Sequence, residues 1–147
     1  MQMIPNKLYL AMNAAMFIAY NGSEDSPVPG NEIVDYSNLN KRALEPVLQK
    51  LSNAGIIVSI KGARGGYFMP SPDTVTLRDV AAAFIENVIP EKHEFLGYDE
   101  LINTTLKDCH KKWLNSLSDM TFAKLCNDAR SAGYVPEYKE PVLYFSI

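Results

Sequence analysis

The sequence predicts a mainly α-helical fold carrying one small β-hairpin, and three observations lead there. Apolar residues recur at three- and four-residue steps in several separate stretches, the spacing of helices with one buried face. Residues 56–69 instead hold β-branched and aromatic runs around a glycine-rich tip, Gly62-Ala63-Arg64-Gly65-Gly66, which is a hairpin pattern. Positive charge gathers around that hairpin. Residues 37–70 carry Lys41, Arg42, Lys50, Lys61 and Arg64 against Glu45 alone, a net +4, while the whole chain is −3 and the remainder therefore −7.

Taken in order, residues 7–20 are rich in Ala, Leu and Met and apolar almost all round, as a helix covered on most sides is. The Asn21–Pro27 stretch is turn chemistry and ends it. A short helix follows from Gly30 to Tyr36, with Ile33 and Val34 as its buried residues. After a break at Ser37-Asn38, residues 39–54 place Leu44, Val47, Leu48 and Leu51 on one helix face. Asn40 is suited to cap this helix, and Gly55 stands where a left-handed residue stops it. Pro46 lies inside and removes a donor, so either the helix bends there or its regular part starts late. Two short helices across a tight break, the second basic at its start, form a helix-turn-helix pattern, and the glycine-rich hairpin is a candidate wing.

Beyond the hairpin, Thr76 with Asp79 three residues later opens a fourth helix to about Glu86, with Val80, Ala83 and Phe84 on one face. Residues 87–98 read as a loop. Ile102, Leu106, Cys109, Trp113 and Leu117 then line one side of a long amphipathic helix, with Lys107, Asp108, Lys111 and Lys112 off the stripe. Such a stripe needs cover, and antiparallel pairing with the same helix of a second chain is the simplest closed arrangement. A further helix over residues 121–131 and an aromatic tail, residues 134–147, complete the chain. The pattern divides into a winged helix-turn-helix DNA-binding domain, residues 1–86, and a loop, dimerisation helix and C-terminal helix with tail, residues 87–147.

Composition limits the alternatives. At 147 residues and 47% hydrophobic, the chain can build one sizeable core but not two ordinary domains with a linker. Two cysteines do not suggest a disulfide framework and fit a reducing compartment, so a cytoplasmic protein is expected. The apolar run at residues 8–20 lacks a clear small-x-small cleavage site and is too short to span a bilayer, so no membrane association is expected. No nucleophile-base-orienter set, paired-carboxylate motif or phosphate cradle is grouped in the sequence, and no enzyme is expected. The hairpin glycines neither open a helix nor carry a Gly-Lys-Ser/Thr ending.

The order of elements and the stretches RALEPVLQKLSNAGI, SIKGARGGYFMP and WLNSLSDMTFAKL resemble the Rrf2 family of winged-helix regulators, from Lys7 to about Cys126. The resemblance implies a bacterial dimeric regulator, expected to repress, that binds a palindromic operator. In several members the signal is sensed through three cysteines between the fourth helix and the dimer helix. Here the interval 86–108 contains no cysteine, so no cofactor is expected and an iron-sulfur cluster is disfavoured. Cys109 and Cys126 lie further along and do not match the ligand positions.

Double-stranded DNA is the expected partner. Asn40, Lys41 and Arg42 at the start of the second helix-turn-helix helix are placed to reach base edges or phosphates, and Glu45 to accept from a cytosine amino group. The wing supplies Lys61 and Arg64, with Gly65 permitting close backbone approach to phosphates. The bland reading of each is a solvated surface. Cys109 and His110 are adjacent, but consecutive helical residues point about 100° apart, so Cys109 joins the apolar stripe while His110 faces out. Cys126 shares a face with Phe122, Leu125 and Ala129, and buried structural thiols are expected, with redox tuning through Cys109 or Cys126 as a narrower reading. His93, with Glu91 and Glu94, reads as a solvated loop rather than a metal site. The competing function is a protein-interaction module without DNA specificity, since one scaffold hosts many functions.

Overall fold

In a computed structural model of the chain, residues 4–85 and 97–135 are described. The first helix, α1 (Asn6–Asn21), is the hub. Its Leu8, Ala11, Ala15 and Ile18 are fully buried, which its small and apolar residues allow on nearly every side. Around it pack α3 (Lys41–Asn53), α4 (Leu77–Phe84) and α6 (Phe122–Ser131). The remaining helices are α2 (Gly30–Ser37), packed on α3, and α5 (Tyr98–Leu117), packed on α4. Among the described residues none of the helices is long and apolar enough to cross a membrane.

Two antiparallel strands, β1 (Val58–Ile60) and β2 (Gly66–Phe68), form the hairpin, with Val58 opposite Phe68 and Ile60 opposite Gly66. The first strand is shorter than the apolar run suggested. Ile56 and Ile57 sit in the core instead, anchoring the hairpin's root after α3. Val28 pairs with Tyr67 on the other side of β2, so the segment before α2 adds a third, one-residue rung to the wing.

The helix caps follow local chemistry. Asn40 Oδ1 accepts from the Ala43 amide at 2.8 Å, fixing the start of α3. Asn38, in the left-handed conformation that asparagine tolerates, turns the chain between α2 and α3. Gly55, at φ +77°, follows α3 as expected. Helix α3 runs unbroken from Lys41 through Pro46, so its regular part does not start late. At α4, Thr76 and Asp79 form a reciprocal capping box, with the Thr76 amide donating to Asp79 Oδ2 at 2.9 Å.

The C-terminal elements return to the same core. Phe122, fully buried, belongs to the cluster that contains Leu8, Ile18 and Val80. The turn before α6 is stitched to the segment before α4: Leu77 N–H donates to the Met120 carbonyl at 2.9 Å, and Phe122 N–H to the Val75 carbonyl at 3.0 Å. Residues 121–131 thus share a core with residues 6–85. The expected division at residues 86–87, the loop with His93, and the tail beyond Val135 lie outside the described residues.

Candidate nucleic-acid interface

The basic residues singled out from sequence fall on two adjoining elements. Lys41, Arg42 and Glu45 are exposed on the first turns of α3, beginning at its cap, Asn40. Lys61 and Arg64 are exposed at the wing tip. The two elements border one groove of about 330 Å³, lined by Val34 of α2, by Lys41, Glu45 and Leu48 of α3 and by Tyr67 of the wing. Leu44, Val47, Leu48 and Leu51 of α3 are buried, Leu48 forming part of the groove's floor, while Lys41, Arg42 and Glu45 are left exposed on its first turns.

Local interactions refine the expected roles. The Asn40 side-chain oxygen is committed to the α3 cap, leaving its amide NH2 as the group able to face a base or phosphate. Lys41 Nζ lies 3.7 Å from Glu45 Oε1, one helical turn away, with both side chains mostly in solvent. Glu45 thus pairs with Lys41 and lines the groove at the same time. Such an exposed pair contributes little to stability and exchanges readily for a phosphate or a base.

The sequence marks Tyr67 only as a strand residue. Its place on β2, immediately after the double glycine, points it into the groove beside α3. Burial, and secondarily the Glu45 carboxylate, raise its phenol above the ordinary 10.0, so it stays a neutral donor across the physiological range.

The glycines have a geometric cause. A Cβ at Gly65 would lie 2.1 Å from the Ile60 carbonyl oxygen, so the tip closes only around glycine. Arg64 and Gly65 also border a hollow with Asp25 and Pro29, which brings an acidic side chain of the 23–27 turn next to the wing.

The long helix divides its apolar residues. Tyr98, Leu101, Ile102 and Leu106 are 72, 65, 54 and 45% exposed, and no residue of α5 is buried. Trp113 and Leu117 instead pack partly against the core of their own chain, along with Leu114. Two expectations change here. His110 is the more covered of the adjacent pair, its ring 6.0 Å from that of Trp113, whereas Cys109 is exposed in the single chain. The reason is helical phase: the core side at this end runs through residues 110, 113, 114 and 117, and Cys109 points about 100° away from His110. Cys126 is buried as expected beside Phe122 and Ala129, and that burial pushes its thiol up, with Arg130 opposing.

These features define a winged helix-turn-helix protein. A protein-family model described as the Rrf2 iron-dependent transcriptional regulators matches residues 4–128, and the chain belongs to that family. It is 31% identical over 110 residues to slr0846 of Synechocystis sp., classed with the HTH-type transcriptional regulators, covering 71% of this chain and 75% of that one. Among solved structures, CymR, the global cysteine regulator of B. subtilis, superposes with a TM-score of 0.64 at 27% identity over 86% of this chain and 98% of that chain. The T. potens IscR structure superposes with a TM-score of 0.71 at 22% identity, over 93% and 95% of the two chains, which shows the shared fold.

The family description raises the question of iron. The chain's two thiols stand on different helices, one facing solvent and one inside the core, and the interval 86–108 holds no cysteine. Among the described residues no three His, Cys, Asp or Glu side chains group as a metal site. This donor set does not fit a cysteine-ligated cluster.

Proposed function

We propose that the protein is a cytoplasmic, sequence-specific DNA-binding repressor that acts as a homodimer on a palindromic operator. The observation that carries the reading is the exposed groove shared by the start of α3 and the wing, inside a segment of net charge +4 on a chain of net −3. Arg42 and the Asn40 amide face base edges in the major groove, and Lys41 exchanges Glu45 for phosphate or shares it with a cytosine amino group. Lys61 and Arg64 flank the duplex with the wing, where the backbone around Gly65 approaches a phosphate. Tyr67 adds a neutral donor between the two.

The exposed stripe of Tyr98, Ile102, Leu106 and Cys109 on α5 is the dimer contact, completed by the same stripe of a second copy, with Trp113 and Leu117 tying the helix to its own core. A two-fold dimer presents its α3 pair to half-sites about 34–36 Å apart. Selection from a pool of random-sequence duplexes at near-physiological salt tests the reading. It is expected to return a palindrome with that spacing. Retention of no common sequence by a stable homodimer would favour the protein-interaction alternative.

A further inference from the structure

A second hollow, of about 480 Å³, lies between α1 and the helix-turn-helix. Tyr9, Leu10 and Asn13 of α1 form one wall, and Tyr36, Leu39 and Leu44 the other. Its volume falls in the range of about 300–1,000 Å³ usual for small-molecule sites. Tyr9 and Tyr36 are 63 and 57% exposed, so two aromatic side chains leave much of their surface open at this hollow. The Tyr36 ring is held in place by that of Phe17, with 4.7 Å between the centroids.

Charge and hydrogen bonding set the chemistry of an occupant. Among the described residues that line the hollow there is no Lys, Arg, His, Asp or Glu, whereas the groove between α3 and the wing has Lys41 and Glu45. A charged ligand would give up water here without a counter-charge, while a neutral aromatic ring exchanges water for two tyrosine side chains. Asn13 supplies a polar anchor. Its Nδ2 donates to the Tyr9 carbonyl at 2.9 Å, which leaves the side-chain oxygen and one N–H for a ligand's own donor and acceptor. Leu44, 1% exposed, lines this hollow and the groove between α3 and the wing alike, so one buried side chain of α3 is a wall of both.

We propose that the hollow is an effector site for a neutral aromatic small molecule bearing an amide or a similar donor-acceptor pair, which packs against Tyr9 and Tyr36 and hydrogen-bonds to Asn13. Filling the space between α1 and the Leu39–Leu44 wall fixes where α3 sits, and through Leu44 it alters the groove that takes up DNA. The regulatory role rests on the DNA-binding function proposed above; the ligand site does not. Ligand and operator change each other's affinity by the same factor.

The test is two-dimensional NMR of the isotope-labelled full-length protein, without DNA, titrated with the neutral amides indole-3-acetamide and benzamide and with their carboxylate counterparts, indole-3-acetate and benzoate. The amides are expected to bind saturably, to shift the Asn13 side-chain signal and the backbone signals of residues 9–14 and 33–39, and to bind at least about tenfold more tightly than the carboxylates. Tyr9→Ala and Asn13→Ala, both at exposed side chains, should each weaken amide binding severalfold with the fold kept. No saturable binding, equal binding of amide and carboxylate, shifts centred elsewhere, or indifference to both substitutions would each overturn the site. Saturating indole-3-acetamide is then expected to shift operator affinity by about fivefold or more. Operator affinity unmoved by bound amide would overturn the regulatory role. If no operator is found, the DNA-binding function fails while saturable amide binding still upholds the site.

Discussion

Val28 and Tyr67 exchange both of their backbone hydrogen bonds, each at 2.8 Å, so the wing's second strand is held between β1 and the segment that leads into α2. Val28 is fully buried. The pairing joins the base of the wing to the helix-turn-helix, which fixes Tyr67 beside Glu45 across the groove.

A substitution that breaks this rung displaces the wing. Gly66 has φ +157°, and a Cβ there would lie 2.3 Å from the Val28 carbonyl oxygen, a backbone atom that cannot step aside alone. Gly66→Ala is expected to destabilise by about 1–3 kcal/mol and to weaken operator binding by more than tenfold while helical circular dichroism is kept. Unchanged affinity would show that the wing's position does not matter.

The cap of α3 separates stability from recognition. Asn40→Ala loses the bond to the Ala43 amide and should cost about 1 kcal/mol, seen as a melting temperature lower by a few degrees. Asn40→Asp keeps a capping oxygen, so stability should be retained, whereas its added negative charge should weaken DNA binding. If the two variants bind DNA equally well, Asn40 acts only as a cap.

Phe122 tests whether the C-terminal helix shares the core. Its ring is fully buried in the cluster that holds the core residues of α1, α3 and α4. Phe122→Ala should cost about 3–5 kcal/mol and shift a single cooperative unfolding transition. A variant in which one transition moves and another stays would separate α6 from the core.

The thiols should differ in reactivity. At pH 8 a disulfide reagent should modify Cys109 readily and Cys126 only on unfolding, because Cys126 is buried and its proton is held more tightly than at the ordinary 9.0. Dimerisation through α5 predicts that Cys109 modification slows as protein concentration rises. The pH dependence has a definite sign. The unfolded chain ionises Cys126 near 9.0 and Tyr67 near 10.0 while the folded chain still holds both protons, so these groups leave stability unchanged at neutral pH and lower it above about pH 9. Urea midpoints from pH 7 to 10.5 measure it.

Periodic features were legible in the sequence and one-residue contacts were not. The 3.6-residue spacing of Leu44, Val47, Leu48 and Leu51 fixes which side of α3 is basic and outward, and Asn40 and Thr76 announce their helices because capping is chemistry of neighbouring residues. The Val28–Tyr67 rung carries no pattern, since a single residue has no period. On α5 the stripe from Ile102 to Leu117 was visible, but spacing does not say which partner covers which part. Packing assigns Trp113 and Leu117 to the chain's own core and leaves Ile102, Leu106 and Cys109 outside. The same limit hid the coverage of His110 and the entry of Tyr67 into the groove, both decided by contacts distant in sequence.

DNA recognition by α3 and the wing is tested most directly by the salt dependence of operator binding, measured by fluorescence anisotropy for the parent chain and for Arg42→Ala, Lys61→Ala and Arg64→Ala. Each phosphate that a basic side chain neutralises contributes about 0.9 to the slope of log affinity against log salt. In a two-fold dimer one substitution removes two such side chains. The slope is therefore expected to become shallower by about 1.8 for each wing variant whose side chain neutralises a phosphate. Arg42→Ala is expected to lose affinity selectively for the operator over random DNA. Parent-like slopes and affinities in all three variants would contradict DNA recognition by α3 and the wing.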